Sequence, residues 1–107
     1  MGEPKLIVRR PKAAEDIERH AMFIAQDNIE SALRFLDAAE QTINNLAIFS
    51  TSGAPFNSRM PELQGIRTKL VKKFPNYVVF YIEREDVIEV VRVLGAGQNT
   101  EVEIWGN

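Results

Sequence analysis

The chain has 107 residues, of which 45% are hydrophobic, which is enough for one modest core and leaves no room for a second domain. Thirteen Lys and Arg against fifteen Asp and Glu give a net charge of -2, without the basic excess of a dedicated nucleic-acid-binding protein. No cysteine is present, which excludes disulfides and thiolate metal sites, and no apolar run has the length of a signal peptide or membrane span. We therefore expect one cytoplasmic domain over residues 1–107, with no membrane contact and no sequence-specific DNA binding of its own.

The first third of the chain predicts a strand and then a helix. Residues 6–10 are typical of a short edge strand, which Pro11 ends because proline lacks an N–H, although it suits the first turn of a helix. Apolar residues at steps of three and four then predict a helix over residues 12–26. These residues are Ala14, Ile17, Ala21 and Ile24.

A second helix is predicted directly after the first. Asp27 and Glu30 have the spacing of a capping box, in which Asp27 accepts from the Glu30 N–H and the Glu30 side chain reaches back. Because the break between the helices is short, we expect an antiparallel helical hairpin. The second apolar stripe consists of Ala32, Leu36, Ala39, Ile43 and Leu46.

The remaining sequence predicts a long loop and an antiparallel meander. Residues 50–65 are rich in Ser, Gly, Pro and Asn, so they form a loop that serves either binding or spacing. The tail from Gly95 is expected to be loop with at most one short strand, and to be extra to the domain from about residue 99. Three β-rich runs lie between them, at residues 66–74, 77–83 and 86–94, separated by polar turns at residues 75–76 and 83–86.

These elements define the expected fold class. It is α+β in the order βααβββ, with the two-helix antiparallel hairpin packed on one face of an antiparallel sheet.

Tyrosine and arginine side chains on the sheet are candidates for phosphate recognition. If the last hairpin turns through residues 84–85, Tyr77 lies across from Arg92 and Tyr81 across from Ile88. A guanidinium is a planar double donor and a phenol can donate or stack, which suits a phosphate. The alternative is that Arg92 is a strand residue whose head is paired with an acid.

Basic residues also gather along the first strand of the meander. Arg67, Lys69, Lys72 and Lys73 form a patch that either binds an acidic partner or protects a sheet edge from aggregation. With Tyr77 and Arg92, they are the candidate partner-binding residues. Replacement of the three lysines by Glu is expected to weaken a complex with such a partner.

No metal or cofactor site is expected. His20 is the only histidine, and it lies four residues after Asp16, which favours a surface ion pair on the helix over catalysis. One histidine without cysteine makes no zinc site, and no glycine-rich loop precedes a helix to cradle a nucleotide phosphate. The aromatic residues among the valines of the sheet favour core packing over a nucleic-acid platform.

Several segments together resemble the ParE/RelE toxin superfamily, over about residues 8–98, and are most similar to its ParE-type members. The first is AxxDIxxxxxFIAxDN at residues 13–28, followed by the alanine-rich second helix. Gly65-Ile66-Arg67 and an aromatic β pattern with Phe74, Tyr77, Val79 and Tyr81 come next. The last is the run from Ile88 to Leu94.

The resemblance implies the toxin of a type II toxin–antitoxin (plasmid stabilisation) system, a growth inhibitor neutralised by a cognate antitoxin. ParE-like members inhibit DNA gyrase, whereas RelE-like members cleave mRNA in the ribosome. Arg67, Tyr81 and Arg92 lie where family members carry functional or structurally important residues, and they would be the catalytic residues of a nuclease. Many members end the last strand with Leu-His-Gly-Ala-Arg-Asp, but this chain has Leu94-Gly95-Ala96-Gly97-Gln98-Asn99, without the His, Arg and Asp.

Three functions follow from the resemblance. The first is a non-enzymatic toxin that acts on gyrase, and the second is a ribosome-dependent ribonuclease that uses Arg67, Tyr81 and Arg92. The third is a degenerate toxin that serves only as an interaction module. The net negative charge and the missing terminal motif favour the first and third.

Overall fold

The computed structural model describes residues 3–105, so the domain expected over residues 1–107 includes two residues at each end that lie outside the described part. Within it, no helix is both long and apolar enough to cross a membrane. The elements are β1 (Leu6–Arg9), α1 (Pro11–Ala25), α2 (Ile29–Asn45), β2 (Ala54–Pro55), β3 (Ile66–Val71), β4 (Phe74–Glu83), β5 (Val87–Gly95) and α3 (Thr100–Trp105), with a 3₁₀ turn at Pro61–Leu63.

The strands form one five-stranded sheet in the order β1-β5-β4-β3-β2. As predicted, β1 is an edge strand; it pairs parallel with β5, whereas the other pairs are antiparallel. The α1–α2 hairpin packs on one face, so the predicted α+β class is confirmed. The predicted long loop contributes the two-residue strand β2 and the 3₁₀ turn, which neither periodicity nor composition indicated.

The helix layer differs from the prediction at one position of the α1 stripe and at the N-cap of α2. Ala13, not Ala14, faces the sheet from α1 and is fully buried. The α2 N-cap is Asn28, whose side chain accepts from the Ser31 N–H at 3.0 Å. The predicted capping box at Asp27 is wrong because the Asp27 N–H still bonds the last turn of α1, at the carbonyl of Ile24.

The opposite face of the sheet has its own apolar cluster, covered by the loop before β3 and by the C-terminal helix. The predicted loop or strand after Gly95 is wrong, because residues 100–105 form α3 and its Ile104 packs into this cluster. The buried members are Leu63, Ile66, Phe80, Val91, Leu94 and Ile104.

The β3–β4 hairpin turns earlier than the sequence indicates. Val71 pairs with Phe74, so Lys72 and Lys73 form the turn, and Lys73 takes a positive φ of 68°. The predicted turn at residues 75–76 is wrong, because these residues lie inside β4 where its pairing with β3 is irregular. Pro75 has no partner in β3, so its missing N–H costs no hydrogen bond between these strands.

The β4–β5 hairpin has a different register from the predicted one. The Arg84 N–H bonds the Val87 carbonyl at 2.8 Å, which centres the turn on residues 85–86 rather than 84–85. A bulge between Phe80 and Tyr81 shifts the pairing again. The observed partners are Tyr77 with Gly95, Phe80 with Arg92 and Tyr81 with Val90, so the predicted Tyr77–Arg92 and Tyr81–Ile88 neighbours are wrong.

Candidate functional site

Arg92 lies in the interior of the protein and not on an open sheet face. Only 3% of its surface is exposed, and its Nε and Nη2 donate to the two carboxylate oxygens of Asp16 at 2.6 and 2.8 Å. Its Nη1 donates to the main-chain carbonyl of Glu103 in α3 at 2.9 Å. Such a bidentate pair has the geometry that the alternative interpretation of Arg92 expects, in which its head is paired with an acid.

Asp16 also has no exposed surface, and its ionisation follows from its partners. Burial raises the pKa of the Asp16 carboxyl, but hydrogen bonds from Arg92, Arg19 and the Val93 N–H outweigh it, so the pKa lies below its ordinary value. Asp16 raises the pKa of Arg92 in return. Both groups therefore remain charged at neutral pH.

His20 and Asp16 together close the edge of β5 beyond the end of β1. Asp16 accepts from the Val93 N–H at 3.0 Å, and the His20 Nε2 donates to the Val93 carbonyl at 2.8 Å. Positions four apart lie on one helix face, so α1 supplies the donor and acceptor that a strand would provide. The predicted His20–Asp16 ion pair is wrong, because the Asp16 oxygens bond Arg92, Arg19 and Val93.

Tyr81 and Arg67 are neighbours across β3 and β4, and both hold the segment after α2. The buried Tyr81 phenol donates to the Ser50 carbonyl at 2.9 Å and accepts from the Gly53 N–H at 3.0 Å. Arg67 Nη1 donates to the Gly53 carbonyl at 2.7 Å. Burial raises the pKa of Tyr81, so its phenol stays protonated near neutral pH. These contacts give both residues an anchoring role.

Tyr77 lies apart from Arg67, Tyr81 and Arg92, in an aromatic group under the end of β5. Its ring centroid is 4.8 Å from that of His20 and also 4.8 Å from that of Phe35. An open cavity of about 300 Å³ borders it, lined in part by Gly95. The structure therefore separates Tyr77 from the two arginines with which the sequence grouped it.

The three lysines of the candidate patch lie along a surface groove between α2 and β3. Two open cavities of about 340 and 490 Å³ meet at Lys72 and together form what we call the α2–β3 groove. Lys69 lines the larger cavity and Lys73 the smaller. The apolar lining residues are Ala38, Leu46, Phe49, Leu70 and Phe74.

No metal site accompanies these features in residues 3–105. There, no three His, Cys, Asp or Glu side chains lie close enough to one another to hold an ion. The α2–β3 groove is the candidate binding site, since its basic and apolar side chains suit contact with another molecule.

The sequence interpretation missed three residues that organise these sites. Asp16 and His20 share the α1 stripe with Ala13 and Ile17, so a polar residue on a buried helix face was a usable signal. Gly53 gave no such signal. A side chain at this position would collide with Tyr81, which is 28 residues away in sequence.

Two solved structures have the same fold as this protein. A chain of the chromosomal ParDE TA system from P. aeruginosa superposes with a TM-score of 0.70 at 18% identity, covering 89% of this chain and 99% of that one. A chain of the toxin–antitoxin complex RelBE2 from Mycobacterium tuberculosis gives 0.57 at 14% identity, covering 92% and 98%. At these identities the likeness shows the fold alone. No curated protein matches the sequence.

A family model carries the assignment further. The model described as "ParE toxin of type II toxin-antitoxin system, parDE" matches residues 7–100, which is most of the chain. The resemblance to the ParE/RelE superfamily is thereby confirmed, and the protein belongs to the ParE toxin family of type II toxin–antitoxin systems.

Proposed function

We propose that this protein is a growth-inhibiting toxin that acts on DNA gyrase in the bacterial cytoplasm and is neutralised by a cognate antitoxin. The observation that carries the proposal is the match to the ParE toxin family over residues 7–100. Gyrase inhibition is the activity that resemblance to ParE-type members implies. It needs a binding surface and no catalytic groups of the toxin's own.

The arrangement of Arg67, Tyr81 and Arg92 supports gyrase over mRNA as the target. Cleavage of RNA needs donors around the scissile phosphate and a group that moves a proton. Arg92 is almost fully buried against Asp16, and Arg67 and Tyr81 are bonded to main-chain groups of residues 50–53. A nuclease that used these three residues would first have to break the contacts that hold the fold.

An antitoxin partner is supported by the fold neighbours. One comes from a ParDE TA system and the other from a RelBE2 toxin–antitoxin complex, so proteins with this fold are described with such partners. The α2–β3 groove offers this chain a surface for contact with one.

Inducible expression in bacteria tests the function, with growth, plasmid topology and mRNA integrity followed in the same cultures. We expect growth arrest with cleaved DNA or lost supercoiling, while mRNA stays intact. An allele with an early stop codon is the control for the burden of expression.

Two outcomes would overturn the gyrase proposal. Arrest with mRNA cut at ribosomes and normal plasmid topology would identify a nuclease. Unimpaired growth with a folded, abundant product would identify an interaction module without toxicity.

A further inference from the structure

A cavity at the end of β5 shares no lining residue with the α2–β3 groove. It has a volume of about 300 Å³, and α1, β4 and the end of β5 all contribute to its wall. Volumes of this size accept small ligands. We call it the β5-end pocket, and its side chains are two aromatic rings, one imidazole and two carboxamides, which belong to Phe23, Tyr77, His20, Asn76 and Gln98.

The lining of the β5-end pocket carries no permanent charge. Within residues 3–105, no Asp, Glu, Lys or Arg contributes to it. A phosphate or carboxylate would therefore meet no cation there, and an ammonium group would meet no acid. Burying a charge without a partner is costly, so the pocket suits an uncharged ligand.

The polar side chains of the pocket are each held by one hydrogen bond and keep a second group free. Gln98 Oε1 accepts from the Gly95 N–H at 2.8 Å, which leaves the Gln98 NH₂ group as a donor. Because His20 Nε2 donates to the Val93 carbonyl, the neutral ring keeps Nδ1 as an acceptor. In the described part of the chain, neither of these groups nor the Tyr77 hydroxyl has a hydrogen-bond partner.

Phe23 gives the pocket an exposed aromatic surface. The residue is 65% exposed, and its ring contacts no other aromatic ring within residues 3–105. Tyr77, by contrast, is held between His20 and Phe35. A planar ligand that stacks on Phe23 would remove this apolar surface from water. The ligand that fits is therefore planar as well as uncharged.

We propose that the β5-end pocket binds the base of a free purine nucleoside, stacked on Phe23 and hydrogen-bonded at its edge to Gln98 and His20. A purine edge carries acceptors and donors side by side, such as N7 and the exocyclic amino group of adenine. Its two fused rings cover more of Phe23 than a pyrimidine ring does. A base within a nucleic-acid strand fits less well, because strands are bound mainly through cations at their phosphates.

Titration of the isotope-labelled full-length protein with adenosine or guanosine, followed by heteronuclear NMR, measures binding and locates it. We expect at least one of the two to give saturable shifts at the amides of Phe23, Tyr77 and Gly95 and at the Gln98 side-chain amide. Uridine has a smaller ring and should bind at least about threefold more weakly. N-acetyltryptophanamide has fused rings but no acceptor on them, and it should also bind more weakly.

Two variants test the residues that contact the base. Phe23→Ala should weaken binding at least about fivefold, because the stacking surface is lost. Met22→Ala is the matched control, since Met22 is the adjacent exposed residue of α1 and does not line the pocket. Gln98→Glu keeps the acceptor for the Gly95 N–H but removes the free donor, and it should weaken binding about fivefold. Cooperative thermal unfolding confirms that each variant is folded.

The proposal is overturned if neither purine nucleoside shifts these signals, if Phe23→Ala and Met22→Ala bind alike, or if Gln98→Glu keeps full affinity. Tighter binding of uridine or N-acetyltryptophanamide would contradict a purine ligand. Tighter binding of an oligo(dA) than of adenosine would contradict a free nucleoside. Because none of these measurements involves toxicity, they fail or succeed independently of the growth assay.

Discussion

Arg92 connects helices that lie on opposite faces of the sheet. Its guanidinium binds Asp16 of α1 and the carbonyl of Glu103 in α3, and both charged groups are removed from water. A buried pair of this kind adds little relative to apolar residues, but losing one partner leaves an uncompensated charge in the interior. Arg92 is therefore a structural residue whose replacement affects the whole fold.

Replacement of Arg92 by Met tests that role. We expect a loss of about 3 kcal/mol of unfolding free energy, measured by urea denaturation at pH 7, since the buried Asp16 carboxylate then keeps only Arg19 and the Val93 N–H as partners. The Asp16→Asn, Arg92→Met double variant should lose less, because it holds no buried charge and Asn can still accept from the Val93 N–H. Equal losses in the two variants would refute the assignment.

Asp16 also makes the stability of the protein depend on pH. Its folded pKa is lowered, so its contribution is complete above the unfolded pKa of about 3.9 and is lost as pH falls through the folded value. Glu83 and Glu89, whose pKa values are lowered by hydrogen bonds from Ser50 and Lys5 and from Arg10 and Arg84, act in the same direction.

Urea denaturation between pH 7 and pH 2 measures this dependence. Unfolding free energy should stay level down to about pH 5 and decrease below about pH 4. Asp16→Asn should be less stable at pH 7 and show a shallower decrease. A slope identical to that of the unmodified protein would mean that Asp16 does not contribute.

Gly53 is required because the chain passes very close to Tyr81. A Cβ at this position would lie 2.6 Å from both the Tyr81 hydroxyl and the Thr68 carbonyl oxygen. Gly53→Ala should therefore cost about 1–3 kcal/mol in thermal or urea unfolding. The exposed neighbour Ser52 is the matched control, and Ser52→Ala should change stability by less than about 0.5 kcal/mol. Similar effects at both positions would contradict the close-contact argument.

Among the elements, the β3–β4 hairpin carries a local strain. Lys73 has a φ of 68°, a conformation that costs a residue with a Cβ but not glycine. We expect Lys73→Gly to raise unfolding free energy by about 0.5–1 kcal/mol, whereas Lys72→Gly, at a negative φ, should not stabilise. Stabilisation by both or by neither would show that the turn conformation is not the cause.

Helices could be predicted from the sequence, whereas the pairing within the two strand hairpins could not. Helix periodicity is a local property, and it placed α1 and α2 within a few residues of their observed bounds. Strand register depends on single residues, and the bulge at Phe80 together with a turn one residue later moved Arg92 away from Tyr77. Pro75 and Asn76 gave a turn-like signal at an irregularity inside β4, which composition alone does not distinguish from a turn.

For the whole molecule, the fold class was predictable, whereas the contacts of Arg92 and the α2 side of the groove were not. The order of amphipathic and β-rich segments gave α+β with a helical hairpin on one face, which the structure has. The interior position of Arg92 depends on its contact with Asp16, and the two residues are 76 residues apart in sequence. The lysine patch was found in advance because its members are close in sequence, but the α2 wall of the groove was not.

The most direct test of the proposed toxin is a supercoiling assay with purified gyrase, relaxed plasmid and ATP, titrated with the purified chain. We expect supercoiling to stop, or cleaved plasmid to accumulate, at near-stoichiometric toxin. Full supercoiling in the presence of a large molar excess of protein, shown to be folded by its cooperative unfolding, would contradict it.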